Sequence, residues 1–376
     1  MKEISVVIPC LNEEQTIGIC IDKINKVFKD NKIDGEIIVV DNGSTDNSVE
    51  IARSKNVKVI FEQIKGYGAA LRKGINEANS KYIIMGDGDD TYDFLELPKF
   101  IELLRKGYDF VIGTRFKGKI LPKAMTWSHR YIGNPILSGM LRLFFGGKIS
   151  DAHCGLRGFS KQAYIKIGLH TTGMEFASEM VIHSLKKKLK MTEVPITYYP
   201  RLGKSKLSSF RDAWRHIRFM LLYSPNYLFF LPATIIFLFG LFLLIRFLFG
   251  SIYFLGRNWD IHVSVFASMI TILGWQILNI GFSAKVYLHL IGLEETEFMK
   301  NIMEKLTLEK AIGIGLYILL IGIILSIYIF IVWAKGGFGE LSQVKTGILS
   351  LTLIVMGLQT IFTSFLTSIL QIKYQQ

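Results

Sequence analysis

Two carboxylates, Asp87 and Asp89, stand two residues apart in an acidic run, residues 86–90, that follows a predicted strand at residues 81–85. Gly86 precedes the pair and Gly88 separates its members, so a turn here can bring both carboxylates around one hard divalent cation, Mg²⁺ or Mn²⁺. Such a cation commonly fills its other positions with phosphate oxygens. The spacing therefore predicts a metal site that takes a diphosphate. The competing interpretation is a solvated acidic turn that caps a helix, which the preceding buried strand disfavours.

Polar residues also follow two other apolar runs. Residues 4–9 lead into Asn12 and Glu13, and residues 36–40 lead into Asp41. Ligands of open parallel sheets bind beyond the carboxyl ends of the strands. We therefore expect these two loops and the acidic run to share one edge of a sheet.

The elements that position these loops alternate between short β-rich runs and helical patterns. Strands of four to six residues separated by helices predict a parallel, doubly wound α/β sheet. The predicted strands are residues 4–9, 36–40, 57–61 and 81–85, and the predicted helices are residues 12–28, 48–55 and 66–78.

The composition divides the chain into two parts. Its 376 residues are 50% hydrophobic and 20% charged, yet the net charge is +13. Residues 227–376 hold 9 basic and 7 acidic residues, a net of +2, which leaves +11 for residues 1–226. This balance excludes collagen-like, disordered and disulfide-stapled classes. The three scattered cysteines, Cys10, Cys20 and Cys154, suit a reducing compartment.

The apolar part predicts a membrane domain, residues 227–376. Each of its four apolar stretches has about the 20 residues that a helix needs to cross a bilayer, and Lys285 is expected to mark the end of the second. The stretches are residues 227–249, 263–284, 311–333 and 347–369.

An interfacial amphipathic helix is predicted at residues 210–226, between a globular domain, residues 1–209, and the first span. Arg211, Arg215 and Arg218 share one face of this helix, as suits an anionic membrane surface. By the positive-inside rule, the globular domain is cytoplasmic, and four spans return the C-terminus to the cytoplasm. The prediction is a multi-pass protein of the cell membrane.

The motifs resemble those of family 2 glycosyltransferases, whose catalytic domain has the GT-A fold. Residues 6–13, 38–46 and 86–89 carry this resemblance, and residues 113–116 and 151–159, with the membrane helices, are similar to polyprenyl-phosphate (dolichol-phosphate) hexose synthases. The resemblance implies an α/β GT-A domain followed by an all-α membrane domain of four helices.

The resemblance also implies a role for individual residues. Pro9, Asn12, Glu13 and Asp41 would bind the nucleotide of a nucleotide-sugar donor, with Lys65 and Gly66 lining its pocket. Asp87 and Asp89 would bind the diphosphate and the Mg²⁺ or Mn²⁺ ion. Asn42 stands where the family usually has a second acid.

On the acceptor side, the resemblance assigns Arg115, Arg130 and Asn134 to the phosphate of a polyprenyl or dolichyl lipid. Arg201 and Lys204 lie in a basic loop that would close over the diphosphate. Glu175 and Glu179 share a helix face, and such an acid serves as the base in relatives with hydroxyl acceptors. His153 is a weaker candidate for an additional metal contact.

The expected function is an inverting, metal-dependent transfer of a hexose to a polyprenyl phosphate at the cytoplasmic membrane face. The alternatives are a glycolipid synthase with a hydroxyl acceptor, a processive polysaccharide synthase, and a transporter with a nucleotide-sugar-binding domain. Nucleic-acid binding is disfavoured because no matching reader fold is present. The sugar, the base, the lipid length and the oligomeric state stay open, a homo-oligomer included.

Overall fold

The computed structural model describes residues 1–202, 209–292, 297–340 and 343–372. The chain divides into two compact units, Met1–Met220 and Leu221–Gln376.

The first unit is built on one seven-stranded sheet. Its strands are β1 Lys2–Cys10, β2 Gly35–Asp41, β3 Lys58–Phe61, β4 Ser80–Met85, β5 Phe110–Ile120, β6 Arg157–Ser160 and β7 Met191–Tyr198. The strand order is β3-β2-β1-β4-β6-β5-β7. All neighbours pair in parallel except β6, which runs antiparallel to both β4 and β5. The apolar runs of β1, β2 and β4 are buried because helices cover both faces of a parallel sheet.

Eight α-helices belong to this part of the chain as the structure describes it. They are α1 Ile17–Asp30, α2 Ser48–Ser54, α3 Tyr67–Glu77, α4 Leu97–Arg105, α5 Asn134–Phe145, α6 Lys161–Ile167, α7 Phe176–Lys186 and α8 Ser209–Leu222. A 3-10 turn, Phe94–Glu96, precedes α4, and a π-helical turn, His129–Gly133, precedes α5.

The first helix begins at Ile17 rather than at residue 12 as predicted. The intervening residues form a loop because their backbone groups bond to another loop. The Asn12 and Glu13 N–H groups donate to the hydroxyls of Ser44 and Ser48, at 2.9 and 2.7 Å. Asn12 itself has φ +52°, which no α-helix accommodates.

The helix α8 carries the predicted amphipathic pattern over its described side chains. His216, Phe219 and Met220 are buried, whereas Arg215 and Arg218 are exposed. The side chain of Arg211 lies outside the described residues.

The second unit contains four helices that are long and apolar enough to cross a membrane. They are α9 Leu231–Leu248, α10 Ile261–Leu290, α12 Leu308–Lys335 and α13 Val344–Gln371. A π-helical turn at Asn226–Phe230 extends α9 at its N-terminal end. The unit also contains a short helix, α11 Glu297–Lys305, and two paired strands, β8 Ile252–Phe254 and β9 Arg257–Trp259. The helix α10 does not end at Lys285 but continues to Leu290. Lys285 instead donates to Asn226 Oδ1 at 3.0 Å.

Small residues bring the membrane helices close together, as is common where lipid supplies no hydrophobic drive for helix association. A Cβ atom at Gly357 of α13 would lie 2.6 Å from the backbone nitrogen of Leu319 on α12. One at Gly274 of α10 would meet the backbone of Phe237 on α9 at the same distance. The helices therefore touch through their backbones at these points.

Replacing Gly357 with valine should loosen the contact between α12 and α13. The added side chain meets backbone rather than a flexible side chain, so we expect a loss of about 1–3 kcal/mol in stability. Thermal unfolding in detergent measures it. Gly347→Val, on the same helix, is the matched control because no atom lies within 4 Å of a Cβ there. Equal unfolding temperatures for the two variants would contradict the close packing.

Candidate active site

The acidic run follows the carboxyl end of β4, as the sequence predicts. Asp87 Oδ1 accepts a hydrogen bond from the Tyr67 hydroxyl at 2.9 Å, and Asp89 Oδ1 accepts from the Thr91 hydroxyl at 2.6 Å. Burial, together with the nearby Asp89 carboxylate, raises the pKa of Asp87 to about 7. A poorly solvated pair of carboxylates is stabilised by a cation between them.

The donor set fits Mg²⁺ or Mn²⁺. Over the described ranges, no three His, Cys, Asp or Glu side chains form a group that could hold a metal ion. A cation at Asp87 and Asp89 would therefore take its remaining oxygens from water or from a ligand. Binding through one or two carboxylates plus substrate phosphates is the usual arrangement for Mg²⁺.

Arg201 connects the acidic run to the loop after β1. Its guanidinium lies 2.8 Å from Glu13 Oε1 and 3.3 Å from Asp89 Oδ2. Because Arg201 follows β7, this contact joins loops from three separate strands. Lys204, predicted to act with Arg201, lies outside the described residues.

The loops after β1 and β2 interlock. Asn12 Oδ1 accepts from the Thr45 N–H at 2.7 Å, and the Asp41 carboxylate accepts from the N–H groups of Gly43 and Ser44 at 3.0 and 3.1 Å. The neighbouring strands pair Pro9 with Val40. Pro9, Asn12, Glu13 and Asp41 are therefore brought to one edge of the sheet, as expected.

Asn42 organises the segment that carries Lys65 and Gly66. Its amide donates to the carbonyls of Glu62 and Ile64, at 2.9 and 2.8 Å, and accepts from the Gly66 N–H at 2.7 Å. The Lys65 ammonium donates to the Asn42 carbonyl at 3.0 Å. A carboxylate at this position has no N–H to donate, so asparagine is the residue that this loop requires.

Arg115 has a different immediate partner from the acceptor phosphate that the resemblance implies. Its side chain is 7% exposed and donates to both oxygens of Asp151, from Nε at 2.7 Å and from Nη2 at 2.8 Å. This bidentate geometry offsets the free-energy cost of removing both charges from water. Arg115 thereby fixes the start of the segment that leads into β6.

Arg157 fixes the other end of that segment and was not singled out from the sequence. Its guanidinium is fully buried and donates to the carbonyls of Cys154, Ala177 and Ala152 at 2.8, 2.7 and 2.8 Å. Within the segment, Gly155 packs against Asp87, since a Cβ atom there would lie 2.7 Å from Asp87 Oδ2.

The two candidate acids on α7 have different surroundings. Glu179 is fully buried and accepts from the His170 and Thr171 N–H groups, each at 3.0 Å, and from the Thr171 hydroxyl at 2.5 Å. Glu175 is partly exposed at the N-cap position of α7. Glu179 is therefore used to hold a loop, and Glu175 is the more accessible of the two acids.

His153, considered as a metal contact, points its Nε2 atom at Ser178 Oγ, 3.2 Å away. Ser178 in turn lies 2.8 Å from His216 Nδ1 on α8. Burial lowers the pKa of His153 well below its ordinary value. These contacts join His153 to α7 and α8.

Arg130 and Asn134 lie in a segment with several exposed apolar side chains, which the sequence argument missed. The Arg130 guanidinium lies 5.4 Å from the centre of the Tyr131 ring, and Asn134 Nδ2 lies 3.6 Å from Met125 Sδ. Apolar side chains at four- and seven-residue spacing could have revealed this segment from the sequence. Its exposed apolar side chains, called here the apolar face, are Trp127, Tyr131, Ile132, Ile136 and Leu143.

Comparisons with known proteins identify the family of this chain. Residues 5–168 match the model of glycosyl transferase family 2, and residues 282–371 match the glycosyltransferase family 2 C-terminal transmembrane region. The chain is 38% identical over 364 residues to the low-salt glycan biosynthesis hexosyltransferase Agl6 of Haloferax volcanii, with 96% of this chain and 88% of the relative covered. It is 32% identical over 213 residues to a dolichyl-phosphate hexose transferase of the same organism, covering 55% of this chain and 88% of that one.

A solved structure of glucosyl-3-phosphoglycerate synthase from Mycobacterium tuberculosis, in complex with Mn²⁺, UDP-glucose and phosphoglyceric acid, aligns with a TM-score of 0.49. The sequence identity is 21%, over 58% of this chain and 79% of that one.

The family matches, together with the four helices that are long and apolar enough to cross a membrane, identify a membrane-bound glycosyltransferase. The chain belongs to glycosyltransferase family 2, and its α/β unit has the GT-A fold. The resemblance stated from the motifs is thereby confirmed, as is the prediction of an enzyme.

Changing Asn42 to aspartate should weaken the Lys65–Gly66 segment. The variant loses both amide donors, and an unpaired buried acceptor costs about 1–3 kcal/mol. Chemical unfolding of the protein in detergent measures the loss. Asn76→Asp makes the same chemical change at an exposed position of α3 and should leave stability unchanged. A stability loss no larger than that of the control would refute the role given to Asn42.

Proposed function

We propose that this enzyme transfers a hexose from a nucleotide sugar to a polyprenyl phosphate, dolichyl phosphate included, with inversion at the anomeric carbon. The observation that carries the proposal is the apolar face, which lies beside Arg130 on the same unit as Asp87 and Asp89. An acceptor with an apolar chain and an anionic head suits such a surface. The similarity to a dolichyl-phosphate hexose transferase supports the same acceptor class.

The apolar face begins close to the acidic run in the sheet. Tyr199 donates its N–H to the Thr91 carbonyl at 2.9 Å, and Leu121 donates its N–H to the Tyr198 carbonyl at 3.0 Å. The segment that leads to Trp127 thus starts one strand away from the loop of Asp89. This proximity supports one site for donor and acceptor.

The donor would lie over the edge formed by the loops after β1, β2 and β4. Asn12, Glu13 and Asp41 would meet the nucleoside, and Asp87 and Asp89 would hold a divalent cation at the diphosphate. When bound, that cation would neutralise the charge of the leaving diphosphate. Arg201, 3.3 Å from Asp89, is placed to donate to the same developing charge.

The acceptor phosphate is already an anion, so its attack on the anomeric carbon needs positioning rather than a general base. Arg130 and Asn134 would supply that positioning at the apolar face. Arg115 is bound to Asp151, so we assign it to the support of the site rather than to direct contact with the lipid.

We place the catalytic unit on the cytoplasmic side, with both termini cytoplasmic. The exposed Arg215 and Arg218 on α8 suit an anionic inner leaflet, and four spans return the chain to the side on which it began. The location would keep the lipid head within reach of the donor.

The test supplies labelled UDP-glucose, UDP-N-acetylglucosamine or GDP-mannose to the purified full chain in liposomes. Each liposome contains polyprenyl phosphate, the uncharged polyprenol, or diacylglycerol. We expect labelled lipid with polyprenyl phosphate alone, and with one donor far above the others. Transfer to diacylglycerol and none to the phosphate would overturn the proposed acceptor.

Glu175→Gln should keep most of the activity, because a phosphate acceptor brings its own charge. A general base is typically worth 10²–10⁴-fold, so we expect kcat to stay within about tenfold of the unchanged enzyme. Measurement of kcat and of the unfolding temperature together checks this.

Glu179→Gln is the structural control for that experiment. It should lower the unfolding temperature, because the carboxylate now holds three donors from residues 170 and 171. A hundredfold fall in kcat for Glu175→Gln at an unchanged unfolding temperature would instead indicate a hydroxyl acceptor.

A further inference from the structure

The Tyr67 side chain holds one oxygen of the Asp87 carboxylate. Its hydroxyl donates to Asp87 Oδ1 at 2.9 Å, and both side chains are half-buried. Tyr67 is the first residue of α3, whereas Asp87 follows β4, so the contact joins two separate elements. The tyrosine is the donor, because an ionised carboxylate can only accept. The hydroxyl therefore directs a carboxylate that would hold the cation.

The first turn of α3 is held from two sides, and this fixes the place of Tyr67. On one side, the Gly66 N–H donates to Asn42 Oδ1 at 2.7 Å. On the other side, the Ala69 N–H donates to the Thr172 carbonyl at 3.0 Å. Gly66 has φ +143°, and a Cβ atom there would collide with the same carbonyl oxygen. The hydroxyl is therefore presented from a rigid position.

The second oxygen of Asp87 is confined by backbone. A Cβ atom at Gly155 would lie 2.7 Å from Asp87 Oδ2, so only a glycine lets the two segments approach this closely. The Gly155 N–H donates to the Tyr92 hydroxyl at 2.8 Å, and Tyr92 is fully buried. The carboxylate of Asp87 therefore lies between the Tyr67 hydroxyl and a backbone segment that a second tyrosine holds.

Asp89 is oriented in a different way, within its own turn. Its Oδ1 atom accepts from the Thr91 hydroxyl at 2.6 Å and from the Thr91 N–H at 3.2 Å. Asp87 instead accepts from a residue 20 positions earlier in the chain. Loss of the Tyr67 hydroxyl would therefore release Asp87 and leave Asp89 in place.

A hydrogen bond to the Asp87 carboxylate is compatible with cation binding. The two oxygens of a carboxylate have about four lone-pair sites, so Oδ1 can accept from Tyr67 and still face a cation. Hydrogen bonds from outside the ligand set orient metal-binding groups and raise the affinity for the metal. A carboxylate that is oriented before the cation arrives also loses less freedom on binding.

We propose that Tyr67 is a positioning residue that acts through Asp87, holding its carboxylate in the orientation that binds the divalent cation. The inference rests on the proposed cation site at Asp87 and Asp89. Since Asn42 holds the Gly66 N–H, the affinity of that site also depends on the loop after β2.

The test measures how much Mn²⁺ strengthens the binding of a nucleoside diphosphate to the full chain in detergent. Isothermal titration calorimetry gives the Kd of UDP, or of GDP if GDP binds more tightly, with EDTA and at one fixed Mn²⁺ concentration. The ratio of the two Kd values is the Mn²⁺ enhancement. Tyr67→Phe should lower this enhancement about tenfold, as is usual when a partner of a metal-binding group is lost, and should leave the Kd in EDTA unchanged.

Tyr82→Phe is the matched control. Tyr82 is a buried tyrosine near the start of β4, at the opposite end of that strand from Asp87, and its variant should keep the full enhancement. A second control removes the carboxylate itself. In an Asp87→Asn background, Tyr67→Phe should change the remaining enhancement by less than about twofold, the usual error of additivity, because the hydroxyl then has no carboxylate to orient.

Two results would overturn the role of Tyr67 and leave the cation site standing. One is an enhancement that Tyr67→Phe does not change, including the case in which both Kd values weaken by the same factor, as a purely structural role in α3 would cause. The other is an equal loss of enhancement in the Asp87→Asn background. If Mn²⁺ does not enhance binding to the unchanged chain, the cation site and the role of Tyr67 are both overturned.

Discussion

The hydrogen bonds of the buried Arg157 guanidinium are the contacts on which the geometry of the candidate active site depends. The guanidinium binds three backbone carbonyls, two from its own loop and one from α7, with no carboxylate among these partners. Burial lowers the pKa of the Arg157 guanidinium, because removing a charged group from water costs free energy. The three hydrogen bonds to carbonyl oxygens offset that cost. Because the loop is held, Gly155 stays against Asp87.

Most charged and polar groups around the site are used to build it. Asp151 holds Arg115, Asp41 and Asn42 fix tight turns, and Glu179 fixes residues 170 and 171. The loops that follow parallel strands have backbone N–H and C=O groups without hydrogen-bond partners inside the same loop. Side chains from neighbouring loops supply those hydrogen bonds. The side chains left to meet a ligand are few, and the proposed chemistry therefore rests on Asp87, Asp89 and Arg201.

The alternation of strands and helices was predictable because hydrophobic period and strand length are local properties of the sequence. The place of Asp87 and Asp89 beyond β4 followed from the same pattern. The contact between Glu13 and Arg201 was not predictable, since 188 residues separate them and only the position of β7 brings them together. The start of α1 was also missed, because it depends on hydroxyls from a loop some 32 residues away.

The contacts between α10 and α13 join residues with a nearly constant offset, 84 or 85 positions in each of three pairs, Ser268 with Thr352, Trp275 with Thr360 and Ser283 with Thr367. Two helices that run in the same direction in fixed register cannot slide or rotate past each other without breaking all three pairs at once. They therefore move as one body within the membrane. Ser350 also joins α13 to α12, through Ser326 Oγ at 2.7 Å and the Gly322 carbonyl at 2.6 Å. Among the described helices, a widening of the bundle to admit a long lipid tail is therefore easiest at the contacts of α9, where Gly240 and Gly274 pack against neighbouring backbone.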